Sequence, residues 1–388
     1  MIFRTPPLRT PERRALEQVE RLQVELASQV RIPRRWHGSL RRLSLARAVQ
    51  GSNSIEGYHA RLDDVAAAVQ GDEALDADTE TLHALEGYCD AMTYVLQLGQ
   101  DDDVVIEESL LRSLHFIMMR HDLGKNPGRW RPGAIWVRRE SDGRTVYEGP
   151  PAAEVPGLIG QLVDSLRGDD DPVIVRAAMA HLDLVMIYPF RDGNGRMARC
   201  LQTLVLARGK IVVPVFSSIE EYLGANTAAY YEVLAAVGGG RWSPSRDARP
   251  WVRFCLTAHY RQARTVLRRV DEAERLWDAC TVLAVDRGVP LRAVGVLSDA
   301  ARGFRIRNAT YRTTVRAAEG EEITDQTASR DLKALVDAGL LDPVGEKRAR
   351  VYLAAEPVRG AWMEIRSRRP PGGGDDPFAA DFVALGDW

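Results

Sequence analysis

The sequence predicts a mainly α-helical protein with only short strands. Apolar residues recur at helical spacing through most of the chain; in residues 11–30, for example, Leu16, Val19, Leu22 and Leu26 form one stripe. Strand-like segments occur in two places, and each place holds a pair of short strands around a turn. We therefore expect a helical bundle with one β-hairpin, followed by a second unit of helices that ends in another hairpin.

Helical periodicity before the first hairpin covers residues 11–30, 40–50, 62–70, 78–98 and 107–120. The hairpin is predicted at 131–137 and 146–151, with Ser141, Asp142 and Gly143 as the turn. Further helices are predicted at 152–166, 172–187, 194–208 and 249–276. A short loop connects the C-terminal end of the apolar helix 172–187 to the start of helix 194–208.

After residue 276 the pattern changes to helices at 276–302, 308–318 and 325–338, and then to strands at 340–344 and 350–353 around a tip at 345–348. This order is typical of a winged helix-turn-helix. Its recognition-like helix, 326–338, would present Thr327, Ser329, Arg330 and Lys333. Because the segment is also rich in acidic residues, which oppose phosphate binding, a protein-interaction or dimer-packing role ranks ahead of DNA binding.

The 388 residues are enough for two or three domains. We predict an N-terminal helical region at 1–100, a core at 101–270, the winged-helix unit at 271–356 and a flexible tail at 357–388. The tail is predicted from the Pro- and Gly-rich stretch that follows Arg366.

Composition excludes several classes of protein. A net charge of −2 gives no global attraction to nucleic acid or to a membrane surface. No segment approaches the ~20 apolar residues that span a bilayer, and the N-terminus lacks the apolar core of a secretory signal. The four cysteines have no metal-ligand spacing, so we expect them to be reduced and the protein to be cytoplasmic.

Residues 188–199 are the most informative stretch of the chain; they read Tyr-Pro-Phe-Arg-Asp-Gly-Asn-Gly-Arg-Met-Ala-Arg. Gly193 and Gly195 let the backbone turn and approach an anion closely. The N–H groups that open the following helix have no intrahelical partner and are able to receive phosphate oxygens. The stretch therefore predicts a site for the phosphates of a nucleotide.

Charged side chains in the same stretch support this prediction. Arg196 and Arg199 are three residues apart on the helix, so they lie on one face and can reach one ligand. Asp192 offers a carboxylate oxygen of the kind that Mg²⁺ prefers when it bridges phosphates.

The stretch closely resembles the signature of the Fic/Doc family, His-x-Phe-x-(Asp/Glu)-Gly-Asn-Gly-Arg-x-x-Arg, and matches every defined position except the first. Members of this family mostly transfer AMP from ATP to a hydroxyl of a target protein. The resemblance therefore implies a Fic-type helical bundle with a hairpin flap, ATP and Mg²⁺ as ligands, and a protein with a Ser, Thr or Tyr hydroxyl as partner. It assigns the metal to Asp192, the anion cradle to Gly193, Asn194 and Gly195, the phosphate tail to Arg196 and Arg199, and a buried anchor to Phe190.

The departure is Tyr188, which stands where the family uses a histidine as general base. A free phenol has a pKa near ~10, so a base at neutral pH would need a shift of roughly three units, or about 4 kcal/mol. Three interpretations follow: a site that only binds, a slower or different reaction, or a Tyr188 hydroxyl that itself accepts the transferred group. Tyr188, Asp192, Asn194 and Arg199 are the candidate catalytic residues. His181 and His115 are interpreted as packing or hydrogen-bonding residues rather than as substitutes for the missing base.

A second segment, Ser52-Asn53-Ser54-Ile55-Glu56-Gly57, follows the helix predicted at 40–50. It looks like the inhibitory motif of the family, (Ser/Thr)-x-x-x-Glu-(Gly/Asn). The resemblance implies an ion pair between Glu56 and Arg199 that would occupy the guanidinium needed by the γ-phosphate, with Ser52 in the same network. The alternative is an ordinary helix end closed by Gly57.

Two further regions acquire roles through the resemblance. The hairpin would clamp a target segment by strand pairing, and an ordinary surface hairpin is its alternative. Asn226 and Tyr231 would border the base and ribose of the nucleotide, although packing is the alternative for the tyrosines of that region.

Three functions fit these observations: an AMP transferase of Fic type, a nucleotide-binding switch that acts through the C-terminal unit, and a hydrolase that removes AMP from a modified protein with Glu56 positioning the water. The sequence does not determine the oligomeric state: helical surfaces of similar proteins often self-associate, so a homo-oligomer is possible, but no segment identifies an interface.

Overall fold

The computed structural model describes residues 1–31, 33–72, 76–138, 143–168, 170–210, 214–346, 350–369 and 376–379. It confirms a mainly α-helical fold with two small hairpins. The helices of the first half are α1 Thr10–Arg31, α2 His37–Ile55, α3 Leu62–Gln70, α4 Thr79–Leu98, α5 Glu108–Met119, α6 Val155–Ser165, α7 Val173–Ile187 and α8 Asn194–Arg208. Those of the second half are α9 Pro214–Ser217, α10 Glu220–Ala225, α11 Thr227–Gly238, α12 Arg249–Asp286, α13 Val294–Ala301, α14 Asn308–Glu319, α15 Asp325–Asp337 and α16 Glu356–Ser367. Short 3₁₀ turns lie at Leu123–Lys125, Ala152–Glu154 and Leu291–Ala293.

Helices α7 and α8 form the centre of the bundle. Both are buried on nearly every face; α7 is apolar almost throughout, whereas α8 also buries polar and charged side chains, among them Arg196 and Arg199. They pack against each other, with α4, α5 and α6 around them and α12 across α7. The loop between α7 and α8 therefore emerges from the buried centre of the bundle.

The first hairpin pairs β1 Trp136–Arg138 with β2 Thr145–Glu148 in antiparallel register, Trp136 opposite Glu148. The Tyr147 hydroxyl donates a hydrogen bond to the Met186 carbonyl at 2.7 Å, which fixes the hairpin to the end of α7. The predicted turn residues 141 and 142 lie outside the described residues, and Gly143 has a left-handed φ of 67°.

Helix α2 is held at both ends. Near its C-terminal end, Gly51 crosses Gly224 of α10 so closely that a Cβ on Gly51 would lie 2.5 Å from the Glu220 carbonyl oxygen. Near its N-terminal end, the Arg42 guanidinium forms a buried ion pair with Asp299 of α13. Because removal of one partner from such a pair typically costs about 3–5 kcal/mol, α2 is firmly tied to the C-terminal helices.

Two helices run further than predicted. Helix α2 continues from the predicted end at residue 50 to Ile55. Ser52 and Asn53, which have low helix propensity, are fully buried there, and Asn53 bonds the Val49 carbonyl, so tertiary packing overrides propensity. Helix α12 continues past residue 276 to Asp286, because its buried stripe extends through Cys280 and Ala284.

Helix α16, Glu356–Ser367, was not predicted; it lies in the segment that was expected to be a flexible tail, which corrects that expectation for these residues. It packs against α12 and α13, with Val358 fully buried. Just beyond it, Arg369 makes a bidentate contact with Glu272 of α12. These long-range contacts leave no local signal in the sequence, which explains why the helix was missed.

The C-terminal helices α13, α14 and α15 precede a second hairpin, in which β3 Leu341–Val344 pairs with β4 Val351–Ala354. Of its predicted tip, residues 347 and 348 lie outside the described residues. The division into four regions and the winged-helix interpretation stay predictions.

The helices and the cysteines can also be compared with the expectations from composition. Within the described ranges, no helix has the length and apolar character that crossing a bilayer requires. The cysteines Cys89, Cys200, Cys255 and Cys280 are all buried and free.

Candidate functional site

The site begins at Tyr188, which ends α7 in the left-handed region with φ 53° and ψ 58°. This conformation is uncommon for a residue other than glycine, and a residue that precedes a proline, as Tyr188 precedes Pro189, is biased toward extended backbone. Such strain, on the order of 1–3 kcal/mol, persists only where surrounding contacts enforce it.

Arg131 holds this turn. This side chain is 5% exposed, and its Nε donates to the Tyr188 carbonyl at 2.8 Å. Its backbone N–H donates to the Pro189 carbonyl at 2.8 Å, and its remaining guanidinium nitrogens donate to the carbonyls of Gly133 and Pro150. One buried arginine thus joins the strained turn to both ends of the first hairpin.

Phe190 is fully buried, and its ring lies against that of His115 with centroids 3.7 Å apart and the planes parallel within 1°. His115 Nδ1 accepts from the Gly128 N–H at 2.8 Å, so its Nε2 carries the proton and donates to the Asp192 carbonyl at 3.0 Å. Burial lowers the pKa of His115 to about 4, which keeps the ring neutral. His115 is therefore a structural support of the turn.

Asn194 closes the turn with its side chain. Its Oδ1 accepts from the Phe190 N–H at 2.8 Å, and its Nδ2 donates to the Phe190 carbonyl at 2.9 Å. Since these two bonds use the side-chain amide, the part of Asn194 that faces a ligand is its backbone N–H.

The anion cradle is the first turn of α8. Gly193 has φ 71°, a conformation that suits glycine, and its carbonyl accepts the first bond within the helix, from the Met197 N–H at 2.9 Å. The N–H groups of Asn194, Gly195 and Arg196 precede that bond and have no intrahelical acceptor. The geometry is that of a helix N-terminus able to bind an anion.

Arg199 is fully buried, and Ser52 and Glu56 contact its guanidinium. Its Nη2 lies 2.6 Å from Glu56 Oε1 and 3.0 Å from the Ser52 carbonyl, while its Nε donates to Ser52 Oγ at 2.7 Å. Burial favours the neutral guanidine, but the Glu56 carboxylate outweighs it and holds the pKa of Arg199 above its usual value. A Cβ on Gly195 would lie 2.5 Å from Glu56 Oε1, so glycine at this position leaves room for the carboxylate as it is placed beside Arg199. Gly57, with φ 88°, ends the segment.

Arg196 is 1% exposed and lies beneath Tyr58, with its guanidinium carbon 5.3 Å from the ring centroid. Its Nη2 contacts the sulfur of Met119 at 3.0 Å. Within the described residues, the Nε and Nη1 of Arg196 and the Nη1 of Arg199 have no hydrogen-bond partner. Buried cationic donors without an acceptor are costly, and an anionic ligand would satisfy them.

Asp192 points into a cavity of about 360 Å³. Its Oδ1 accepts from the Gly193 N–H at 2.7 Å, and its Oδ2 lies 3.1 Å from the Nζ of Lys125. Burial opposes ionisation, but these two partners lower the pKa of the Asp192 carboxyl below its ordinary value. Among the described residues no cluster of His, Cys, Asp and Glu would hold a metal by itself. One ionised carboxylate beside an anion cradle nevertheless fits Mg²⁺, which takes its other ligands from phosphates and water.

The phenol of Tyr188 is unsuited to act as a base. Burial raises its pKa to about 12, and the nearby carboxylates of Glu56 and Asp192 act in the same direction. A base at neutral pH would need the opposite shift.

Asn226 and Tyr231 are less closely tied to the turn. Asn226 joins α10 to α11 and donates to the Tyr222 carbonyl at 2.8 Å. Tyr231 is half exposed, and its hydroxyl lies 3.4 Å from the Ile55 carbonyl, next to Glu56. Tyr231 thus borders residues 52–57, whereas among the described residues the hydrogen bonds of Asn226 stay within residues 222–230 and do not reach the signature turn. His181 is fully buried between Gln202 and Tyr230, as its interpretation as a packing residue requires.

Sequence reasoning missed Arg131, Lys125 and Tyr58. Arg131 was placed in a β-like segment, and nothing local indicates that it reaches the signature turn. Only four of the 52 basic residues are lysines, so the presence of Lys125 was a weak indication of a specific role. Tyr58 directly follows the inhibitory motif, and its proximity to Arg196 depends on how α2 ends.

Comparison with known proteins supports the resemblance to the Fic/Doc family. A family model described as Fic/DOC family matches residues 105–206. The protein adenylyltransferase Fic of Nematostella vectensis is 29% identical over 210 residues, which are 52% of this chain and 44% of that protein. The protein adenylyltransferase Fic of Culex quinquefasciatus is 37% identical over 208 residues, which are 52% of this chain and 38% of that protein. The chain therefore spans less than half the length of these relatives.

A solved structure extends the similarity to most of the chain. A Fic family protein from Desulfovibrio desulfuricans superposes with a TM-score of 0.57 at 22% identity, over 90% of this chain and 98% of that one. At this level of identity the match establishes a shared fold.

Arg131→Lys should loosen the signature turn. Lysine keeps the charge but cannot reach several carbonyls in the fork geometry of arginine, so we expect the free energy of unfolding to fall by about 2–4 kcal/mol. Urea unfolding measures this loss, and hydrogen exchange should accelerate at residues 186–190 and in the hairpin. Arg129→Lys, at an exposed position two residues away, is the control. An equal effect of both substitutions would contradict the role of Arg131.

Tyr188 should remain a neutral phenol across the physiological range. Because its pKa is raised to about 12, the difference in phenolate absorbance between the wild type and Tyr188→Phe should stay flat up to about pH 10. Tyr94→Phe, which removes an exposed tyrosine, checks that the method detects a single phenol. A phenolate step between pH 6 and 8 would restore Tyr188 as a candidate base.

Proposed function

Residues 105–206 are a domain of the Fic/DOC family, and on that premise we propose that this chain binds ATP with Mg²⁺ and transfers AMP to a protein hydroxyl, at a rate that Glu56 and Tyr188 keep low. The relatives named above are protein adenylyltransferases, which gives the reaction class. The substrate would be a protein with an accessible Ser, Thr or Tyr side chain.

The observation that carries the proposal is the contact of Glu56 with Arg199. A fully buried guanidinium held at 2.6 Å by a carboxylate from another segment is an anion site occupied by a side chain. A phosphate would supply the same charge, so nucleotide and Glu56 compete for Arg199. Inhibition by Glu56 follows from this competition.

The rest of the nucleotide site follows from the cradle. Phosphate oxygens would accept from the N–H groups at the start of α8 and from Arg196, whose Nε and Nη1 have no partner within the described residues. Asp192 would hold Mg²⁺, which supplies positive charge between the phosphates. Asn226 and Tyr231 are proposed to border the base and ribose.

In the transfer step, the target hydroxyl oxygen forms a bond to the α-phosphorus while the bond from that phosphorus to the bridging oxygen breaks and pyrophosphate leaves. The cradle and the two arginines stabilise the charge that develops on the phosphates. The hydroxyl proton must go to an acceptor, and Tyr188, with a pKa of about 12, is a poor one. Loss of a general base typically costs about 10²–10⁴-fold in rate, so transfer would be slow rather than absent.

A second candidate is a nucleotide-binding switch without transfer. Two observations favour it: the raised pKa of Tyr188, and the buried pair of Arg42 with Asp299, which connects the helix of Glu56 to the C-terminal helices. Displacement of Glu56 by ATP would then be transmitted through α2 to a partner of the C-terminal unit.

Removal of AMP from a modified protein is a third candidate. Glu56, whose side chain is 23% exposed, would orient the attacking water. This reaction depends on Glu56, whereas transfer is inhibited by it, so one substitution separates them.

The test compares the wild type, Glu56→Ala, Tyr188→His and the double variant, with AMP incorporation from labelled ATP into the purified chain itself as the readout. We expect Glu56→Ala to tighten ATP binding in calorimetry with Mg²⁺, and the double variant to incorporate AMP about 10²–10⁴-fold faster than Glu56→Ala. Glu364→Ala, which removes a surface partner of Arg368, is the matched control and should change neither quantity.

Each other outcome selects an alternative. ATP binding without incorporation in the double variant supports the switch. Equal incorporation by Glu56→Ala and the double variant contradicts the account of Tyr188 as a base defect. Failure of Glu56→Ala to bind ATP contradicts the proposed site as a whole.

A further inference from the structure

We propose that Lys125, which lies outside the signature, is a polyphosphate-binding residue of this site: Asp192 holds its ammonium in the nucleotide-free protein and releases it to the phosphates when a divalent ion takes the carboxylate. This inference rests on the proposed function. It adds a residue from the loop after α5 to the group that would bind the nucleotide.

The position of Lys125 is the first support. It ends the 3₁₀ turn Leu123–Lys125, where its Nζ lies 3.1 Å from Asp192 Oδ2. Asp192 directly precedes Gly193 and the cradle N–H groups of α8. A lysine side chain has several rotatable bonds, so its ammonium can move by a few ångströms from the carboxylate toward an anion in the cradle.

The cavity is the second support. Lys125 and Asp192 line the same cavity of about 360 Å³, together with Tyr58 and Met119, the two residues that contact Arg196. The lysine side chain is 44% exposed, so it is not locked by packing. Behind Tyr58 and Met119 lies the Arg196 guanidinium, whose Nε and Nη1 have no partner in the described part of the chain.

Charge balance is the third support. Without a metal, Lys125 neutralises Asp192, which would otherwise repel phosphates entering the cradle. If Asp192 held a divalent ion, the ion would supply that neutralising charge, and the Lys125 ammonium would then be able to contact a phosphate oxygen. Glu80 and Asp122 also line the cavity and compete for the Lys125 ammonium. A nucleotide with several negative charges therefore attracts the ammonium more strongly than one with few.

The alternative is that Lys125 and Asp192 form an ordinary surface ion pair, which would contribute about 0–1 kcal/mol to stability and nothing to ligand binding. The two readings differ in how affinity depends on the number of phosphates. If Lys125 contacts the polyphosphate, its loss must weaken the binding of ATP more than that of AMP. If it only forms a surface pair, its loss leaves both affinities unchanged.

The experiment is calorimetry on full-length Glu56→Ala protein, with Lys125→Met, Lys125→Arg or Lys333→Met added. Lys333 is the matched control, because it also pairs with an aspartate, Asp337, on an exposed surface. With Mg²⁺ present, Lys125→Met should weaken ATP binding about tenfold and leave AMP binding within a factor of two. Lys125→Arg should retain most of the ATP affinity, and Lys333→Met all of it. Without Mg²⁺, the loss caused by Lys125→Met should be smaller.

The outcomes are separable. Unchanged ATP affinity in Lys125→Met, or an equal loss for AMP and ATP, overturns the inference while leaving the proposed function intact. A larger loss without Mg²⁺ than with it also overturns it, since the lysine would then replace the ion instead of acting beside it. If Glu56→Ala itself fails to bind ATP, the proposed function fails, and this inference fails with it.

Discussion

A buried positive charge governs this site. Arg199 is fully buried, and a guanidinium in that position must have an anionic partner, because an isolated buried charge is strongly unfavourable. In the structure the partner is Glu56, supported by two contacts from Ser52. Gly195 makes room for that carboxylate. The same constraint that stabilises the free protein therefore creates the competition on which the proposed regulation depends: whatever displaces Glu56 must bring negative charge of its own.

The position of Glu56 is set by the fold and not by the motif alone. Helix α2 carries it, and α2 is fixed by the close crossing of Gly51 and Gly224 and by the buried pair of Arg42 with Asp299. The N-terminal helices, the Fic domain and the C-terminal helices consequently share one element. Helix α2 thus contacts Arg199 at one end and the C-terminal helices at the other, and the proposed switch depends on this connection.

Sequence patterns predicted the structural features that depend on neighbouring residues in the chain. The limits of α8 agree with the prediction because they depend on local signals: the helix begins after Gly193, which has a positive φ, and ends before Gly209. Helices whose limits depend on tertiary packing were predicted too short or missed, as in the extension of α2 over Ser52 and the unpredicted α16. In the site, the charged and glycine residues were identifiable from their spacing. The residues that act at a distance in sequence were not: Arg131 reaches 57 residues along the chain to the Tyr188 carbonyl. The environment of Tyr188 was also beyond prediction, because its pKa depends on burial and on carboxylates brought near by the fold.

The central claim is that the turn before α8 and Arg199 bind a polyphosphate once Glu56 is removed. The most direct measurement is a crystal structure of Glu56→Ala with ATP and Mg²⁺. The account predicts phosphate oxygens within hydrogen-bond distance of the cradle N–H groups and of Arg199, with the metal on Asp192. An empty cradle, or a nucleotide bound elsewhere while Arg199 finds another partner from the chain, would contradict it.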